Sequence, residues 1–216
     1  MNRIIKEQQN YLLALTILLG IAVLLLFNLN KGDELKFLSQ NRSQIGNTIF
    51  TFSNYFGEAY IYVIVSLIFL FGKQWAKGIL VMLTGFTAML LSQLLKNYFG
   101  HERPFIYFKE TLKQPDLLTP VPGVELVNSY TSSFPSGHTT AAFALFGLLA
   151  FFTPKSTQKT IWLIPASMAG ASRIYLGQHF LEDVIAGAVL GSFIAIVLFL
   201  LFNILRFDSG QGLKNQ

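Results

Sequence analysis

The amino-acid sequence predicts an all-α integral membrane protein, a six-transmembrane-helix bundle. Three observations predict it: an apolar, charge-poor composition, six apolar runs of near-spanning length, and basic residues placed between those runs with a consistent sidedness. Hydrophobic residues make up 52% of the 216 positions and charged ones 12%, with a mean hydropathy of +0.50, a balance outside that of soluble domains. A helix needs about 20 apolar residues to cross about 30 Å of hydrocarbon, and runs near that length set the elements.

The first expected span is 11–29, YLLALTILLGIAVLLLFNL. Arg3 and Lys6 precede it, as in a signal peptide, but the apolar run is too long and no A-x-A-like site follows, so an uncleaved span is expected. Residues 30–57 begin polar and then set Leu38, Ile45, Ile49, Phe52 and Phe56 at separations of 7, 4, 3 and 4. That spacing makes one apolar helical stripe, expected to lie along the membrane surface, with a loop that packs on the bundle as the alternative. Spans follow at 58–72, 77–96, 137–153, 160–177 and 184–205, the second and fourth of the six being short. The connection 97–136 carries Pro104, Pro115, Pro120, Pro122 and Pro135 and is expected to be irregular. No repeat or linker divides the chain, so residues 1–216 are read as one domain.

Eight of the 16 basic residues, Arg3, Lys6, Lys73, Lys77, Lys155, Lys159, Arg206 and Lys214, fall in the tails and two short connections on one side. This is the positive-inside pattern, with both termini cytoplasmic and the long connections outside. Because topology accounts for half the basic residues, the net charge of +5 does not argue for a nucleic-acid partner. Cysteine is absent, which excludes disulfides and thiolate metal sites. Nothing in the sequence sets an oligomeric state.

Three polar clusters remain that topology does not require, all expected at the outer face: KNYFGHERP with Lys96 and Arg103, PSGH at residues 135–138, and SRIYLGQHFLED with Arg173, His179 and Asp183. Charge at membrane depth is costly, so such residues call for a reason. Lys96, Arg103 and Arg173 converge without a matching set of carboxylates, which implies an external anion. PSGH opens a helix: Pro135 suits the first helical position, and Ser136, Gly137 and His138 offer free N–H groups to an anion. Arg forks, a Lys point charge and helix N–H groups together suit phosphate.

His179 and Asp183 are four apart, so a helix that includes both puts them on one face, with Asp183 accepting from one ring nitrogen and leaving the other free as a nucleophile. His138, on a different helix, is free to act as acid and then as base. Taken singly, each feature has a plainer account: a satisfied helical pair, a snorkelling anchor at Lys96, a capped helix start at PSGH. Their coincidence on one face favours the functional account. His101 and Glu102 are read as loop residues, and the three histidines are scattered without metal-ligand spacing.

K-x6-R-P (Lys96 to Pro104), P-S-G-H (Pro135 to His138) and S-R-x5-H-x3-D (Ser172 to Asp183) resemble the three-part signature of the type 2 phosphatidic acid phosphatase (PAP2) superfamily, which includes membrane lipid phosphatases, soluble acid phosphatases and vanadium haloperoxidases. All three parts are intact and in order within residues 96–183, and the six-span layout is similar to the membrane branch. The resemblance implies a metal-independent phosphatase with no cofactor and an outer-face active site. His179 would form a phosphohistidine and Asp183 orient it, His138 would protonate the leaving group, and Lys96, Arg103, Ser136, Gly137 and Arg173 would hold the phosphoryl oxygens. The expected partners are the bilayer, a bacterial cytoplasmic membrane, and a lipid phosphate: undecaprenyl diphosphate, phosphatidylglycerol phosphate, phosphatidic acid or lipid A. A haloperoxidase-like oxidoreductase and a non-catalytic phosphate-lipid binding or transport protein stand as the alternatives.

Overall fold

The computed structural model describes residues 6–208, so Arg3, Lys214 and the Arg206 side chain lie outside it. Helices account for the architecture in the order α1 (Gln9–Asn28), α2 (Asp33–Gln40), α3 (Gln44–Asn54), α4 (Ala59–Phe71), α5 (Trp75–Phe99), α6 (Gly137–Phe152), α7 (Leu163–Tyr175) and α8 (Leu181–Asp208), and the described residues contain no strand. Each of the six expected apolar segments is helical. Among the described residues, three helices are long and apolar enough to cross a membrane, and a fourth crossing is made if α3 and α4, bent by 61° at their junction, are one broken span.

The distribution of buried faces explains why this composition belongs in lipid. α1 buries Tyr11 and Leu15 and leaves Leu13, Ile17, Ile21, Leu24 and Leu25 on the outside. α4, α5 and α8 likewise present large apolar side chains outward, a surface that water does not tolerate and hydrocarbon does. α6 is the opposite case. Its 16 residues are buried nearly all round, from Thr139 to Phe151, because α5, α7 and α8 pack about it. A helix sheathed by other helices needs no lipid-facing stripe, which is why its apolar residues show no periodicity. α7 begins later than its apolar run because Ser156–Trp162 forms a 3-10 stretch. Pro165, which lacks an N–H, falls in the first turn of α7, where none is needed.

α8 meets α6 backbone to backbone. A Cβ at Gly187 would lie 2.6 Å from the Ser136 carbonyl oxygen, and one at Gly191 would lie 2.3 Å from that of Thr140. Two glycines four apart thus open a groove that admits α6, the small-residue packing used between membrane helices. The result is that the start of α6 abuts the start of α8, with the Ser136 N–H donating to the Asp183 carbonyl at 3.0 Å.

The stretch expected as one amphipathic stripe is two helices. The chain breaks at residues 41–43, where Ser43 caps α3 by accepting from Gly46 N at 3.0 Å and Arg42 bonds the Tyr175 carbonyl at 2.8 Å. Leu38 therefore packs inward beside Val121 and Tyr175, and Phe56 edges onto Phe146. Ile45, Ile49 and Phe52 stay exposed. The connection 97–136 is irregular as expected, and it is pinned by a small core of Leu35, Phe108, Leu118 and Phe180 that clamps it to the start of α8.

Candidate active site

The start of α8 sets the His179–Asp183 pair. Gly177, at φ +70, lets the chain reverse after α7, and a Cβ there would lie 2.9 Å from Leu126, so the left-handed turn and the close contact both call for glycine. The turn brings the His179 N–H back to the Arg173 carbonyl at 3.2 Å. His179 is therefore in the turn before α8, so the helix does not include both residues and their four-residue spacing does not act through a shared helical face. Asp183 reaches back from the first turn of α8: its Oδ2 accepts from Phe180 N at 2.9 Å, as an N3 carboxylate does in a capping box. The same oxygen lies 3.3 Å from His179 Nδ1 and accepts from the Ser133 hydroxyl, which is itself 3.2 Å from Nδ1. One carboxylate thus caps the helix and orients the imidazole, leaving His179 Nε2 free.

His179 and Asp183 are 2% and 0% exposed. Burial, reinforced by the charges of Arg173 and Arg103, holds the His179 imidazole well below its ordinary range, against the pull of Asp183. A neutral ring is the nucleophilic form.

The cations sit on three different elements. Lys96 is in the last turn of α5, its Nζ 3.7 Å from where a Cβ on Gly137 would be. Arg173 is in the last turn of α7 and donates to Asn54 Oδ1, while its buried Nε has no partner. Arg103, before the turn Pro104–Ile106, donates through Nε to Thr131 O and Oγ1, both at 3.2 Å, and more weakly through NH1 to the Gln178 carbonyl at 3.5 Å. Each arginine is thus oriented by neutral acceptors, and among the described residues Lys96, Arg103 and Arg173 form no ion pair with a carboxylate. Their charges act on one another. Asp183 offsets part of that repulsion at Lys96 and Arg103, and Glu58 at Arg173; a bound anion would relieve more of it.

PSGH presents itself one residue differently from the expectation. Ser136 is the N-cap of α6 and Gly137 its first residue, so Pro135 precedes the cap. The Ser136 N–H is already bonded to the Asp183 carbonyl, leaving the N–H groups of Gly137 and His138 as those without intrahelical acceptors at this end. Ser136 Oγ accepts from Thr139 N and Thr139 Oγ1 at 3.4 and 2.9 Å, and its own proton remains to donate. His138 is partly exposed, and its Nε2 is 3.0 Å from Glu58 Oε1.

The structure brings all eight expected residues, Lys96, Arg103, Ser136, Gly137, His138, Arg173, His179 and Asp183, around the facing starts of α6 and α8. It adds Ser133, Asn54 and Glu58. Ser133 lies three residues before Ser136 in SSFPSGH, a local signal; Asn54 and Glu58 come from α3 and the start of α4, with no signal but their proximity to an apolar run. His101 is not merely a loop residue: His101, Glu182 and Asp183 bring ligand atoms within 4.8 Å of one another, a grouping that sequence spacing hides. The Lys31 ammonium already sits on Glu182 Oε1 at 2.8 Å, and the positive charge of Arg103 acts on Asp183, a poor setting for a further dication.

Comparison with known proteins agrees with the geometry. The chain is 31% identical over 157 residues to phosphatidylglycerophosphatase B of Bacillus subtilis (strain 168), covering 68% of this chain and 66% of that protein. It is 30% identical over 194 residues to an undecaprenyl-diphosphatase of Sulfolobus acidocaldarius, covering 86% and 87%. The crystal structure of a transmembrane PAP2-type phosphatidylglycerolphosphate phosphatase from Bacillus subtilis superposes with a TM-score of 0.64 at 23% identity, covering 100% of this chain and 99% of that one, which shows a shared fold. With the PAP2 superfamily model matching residues 75–206, a stretch that contains every one of the eight expected site residues, the chain belongs to the PAP2 superfamily.

Proposed function

We propose that the chain is a metal-independent phosphatase that hydrolyses a phosphomonoester or diphosphate of a membrane lipid in two displacements at phosphorus. The observation that carries this reading is the buried His179–Asp183 pair beside three cations that, among the described residues, form no ion pair with a carboxylate. In the first displacement His179 Nε2 attacks phosphorus while His138 protonates the departing oxygen, leaving a phosphohistidine. In the second, His138 takes a proton from water, whose oxygen displaces the histidine, and phosphate is released. Lys96, Arg103, Arg173 and the N–H groups at the start of α6 hold the phosphoryl oxygens and stabilise the charge of the five-coordinate transition state. Ser136 adds a hydroxyl donor. Gly137 keeps the backbone open beside Lys96.

The substrate class follows from the family and from the setting. The relatives named above act, by their names, on phosphatidylglycerophosphate and on undecaprenyl diphosphate, and further relatives are lipid A 1-phosphatases of Rhizobium species. Undecaprenyl diphosphate, phosphatidylglycerol phosphate, phosphatidic acid and lipid A are therefore the substrates to test. In the topology we favour, the chain is one domain of six spans with both termini cytoplasmic and the site extracytoplasmic at headgroup depth. The positive-inside bias supports it, and so does the sheathing of α6, which spares a short helix from matching the bilayer by itself.

The test is phosphate release from that lipid panel, in the presence of a chelator, by the wild type and by His179→Ala. The expected result is turnover of at least one lipid that survives chelation and is lost in the variant. Equal turnover by the variant, or its abolition by the chelator, would overturn the reading.

A further inference from the structure

The two histidines are held in complementary ways. Asp183 meets His179 at Nδ1, which leaves Nε2 for phosphorus. At His138 a carboxylate meets Nε2 instead, 3.0 Å from Glu58 Oε1. That leaves Nδ1, the ring nitrogen closer to the backbone and so closer to the free N–H groups that begin α6. A carboxylate accepting from Nε2 fixes the N–H there in the neutral ring, so protons come and go at Nδ1.

The position of Glu58 is built rather than incidental. Gly57 ends the 3-10 turn Tyr55–Gly57, and a Cβ there would lie 2.7 Å from the His138 carbonyl oxygen, so the turn presses directly on the start of α6. Glu58 is the N-cap of α4, where a carboxylate would ordinarily accept from its own helix. Its side chain makes no capping bond and turns to His138. Neither does it pair with the nearby Arg173, which Asn54 holds. The charged groups acting on His138 are Glu58 from the start of α4, Arg173 from α7 and Lys96 from α5, and Glu58 is the negative one among them.

We propose that Glu58 is a positioning residue for proton transfer by His138, setting its tautomer and sustaining its protonated form amid the cations. This rests on the reading of His138 as proton donor. As the P–O bond to the leaving group breaks, the bond's electron pair goes to the oxygen, which takes the proton from Nδ1, and the ring becomes the neutral Nε2–H tautomer bonded to Glu58. In the second displacement Nδ1 takes a proton from water as the water oxygen bonds to phosphorus, and the electron pair of the P–N bond returns to His179 Nε2.

Glu58 then matters in proportion to how much the leaving group needs a proton. The alcohol of phosphatidic acid leaves poorly without one, whereas para-nitrophenolate leaves unaided. The experiment measures kcat/KM, which reports steps through leaving-group departure, for the full chain and for Glu58→Gln, Glu58→Asp and His138→Ala on phosphatidic acid and on para-nitrophenyl phosphate. Glu58→Gln should lose about a hundredfold on the lipid, within the usual span of general acid catalysis, and less than about threefold on the aryl ester, with Glu58→Asp recovering part of the loss. A purely structural role would lower both substrates alike, and that result, or an undiminished rate on the lipid, overturns the proposal. If His138→Ala shows the leaving-group dependence and Glu58→Gln does not, the proton-donor reading stands and the role of Glu58 falls. If His138→Ala loses both substrates equally, both fall.

Discussion

Replacing Asp183 by Asn tests the central pair most directly. The amide keeps an oxygen of the same size where Oδ2 accepts from Phe180 N at 2.9 Å, so the capped start of α8 should persist. What is lost is the negative charge 3.3 Å from His179 Nδ1. As Nε2 bonds to phosphorus the ring becomes cationic, and a unit pair at that distance in a medium of effective dielectric about 20 is worth about 5 kcal/mol. Both groups are buried, at 2% and 0% exposure, so solvent screening does not reduce the figure. At 1.36 kcal/mol per factor of ten, kcat should fall by about three to four orders of magnitude. KM should change little, because in the proposed reading the phosphate is held by Lys96, Arg103 and Arg173. Phosphate release under saturating lipid, with circular dichroism to verify the fold, measures both quantities. A variant within tenfold of the wild-type kcat, or a loss expressed mainly in KM, would refute the assignment of Asp183 as the group that stabilises the reacting imidazole.

Other consequences are smaller or differently placed. Ser133→Ala removes a hydroxyl shared by His179 and Asp183; a hydrogen bond to a charged group is worth about 1.5–3 kcal/mol, so kcat should drop by about ten- to a hundredfold with KM unchanged, and an unaltered kcat would remove Ser133 from the machinery. Gly191→Val drives side-chain atoms into the Thr140 carbonyl 2.3 Å away, and overpacking of this kind costs about 1–3 kcal/mol or more. Thermal unfolding in detergent should show the loss together with lowered turnover, and an unchanged melting temperature would mean that α6 and α8 do not rely on that contact. Because burial holds His179 below its ordinary range, its imidazole should stay neutral as pH falls from 7 through about 5.5, where an unperturbed histidine is mostly protonated. Nitrogen NMR of labelled histidine reads this directly, and a protonated His179 signal at that pH would contradict the burial argument.

The cluster residues were legible because each answers to a local constraint. Lys96, Arg103, Arg173, His179 and Asp183 are charged or titratable groups at the ends of apolar runs, where such groups are expensive without a function, and Ser136 to His138 carry the marks of a helix start. Glu58 and Asn54 were not legible: Glu58 lies 80 positions before His138, and an acidic residue ahead of an apolar helix has an ordinary account as a favourable terminal charge. Gly187 and Gly191 sat in plain view four residues apart, but a glycine pair does not say which helix it admits. The single stripe expected from Leu38 to Phe56 misled because periodicity cannot see Ser43 capping a new helix.

By itself the sequence determined the chemistry and the medium. An apolar, charge-poor chain places its backbone in helices within lipid, and the few charged residues it retains there are the ones from which we propose a phosphate-like ligand and a histidine nucleophile. Tertiary structure decided the pairings: which nitrogen of each histidine is held, that Arg103 and Arg173 are aimed by neutral acceptors, and that α6 and α8 touch closely enough to bring Ser136 and Gly137 beside the His179–Asp183 pair. Hydrophobic patterning is written along the chain and is read residue by residue, whereas a hydrogen bond between side chains far apart in sequence exists only once packing has brought their helices within 3 Å.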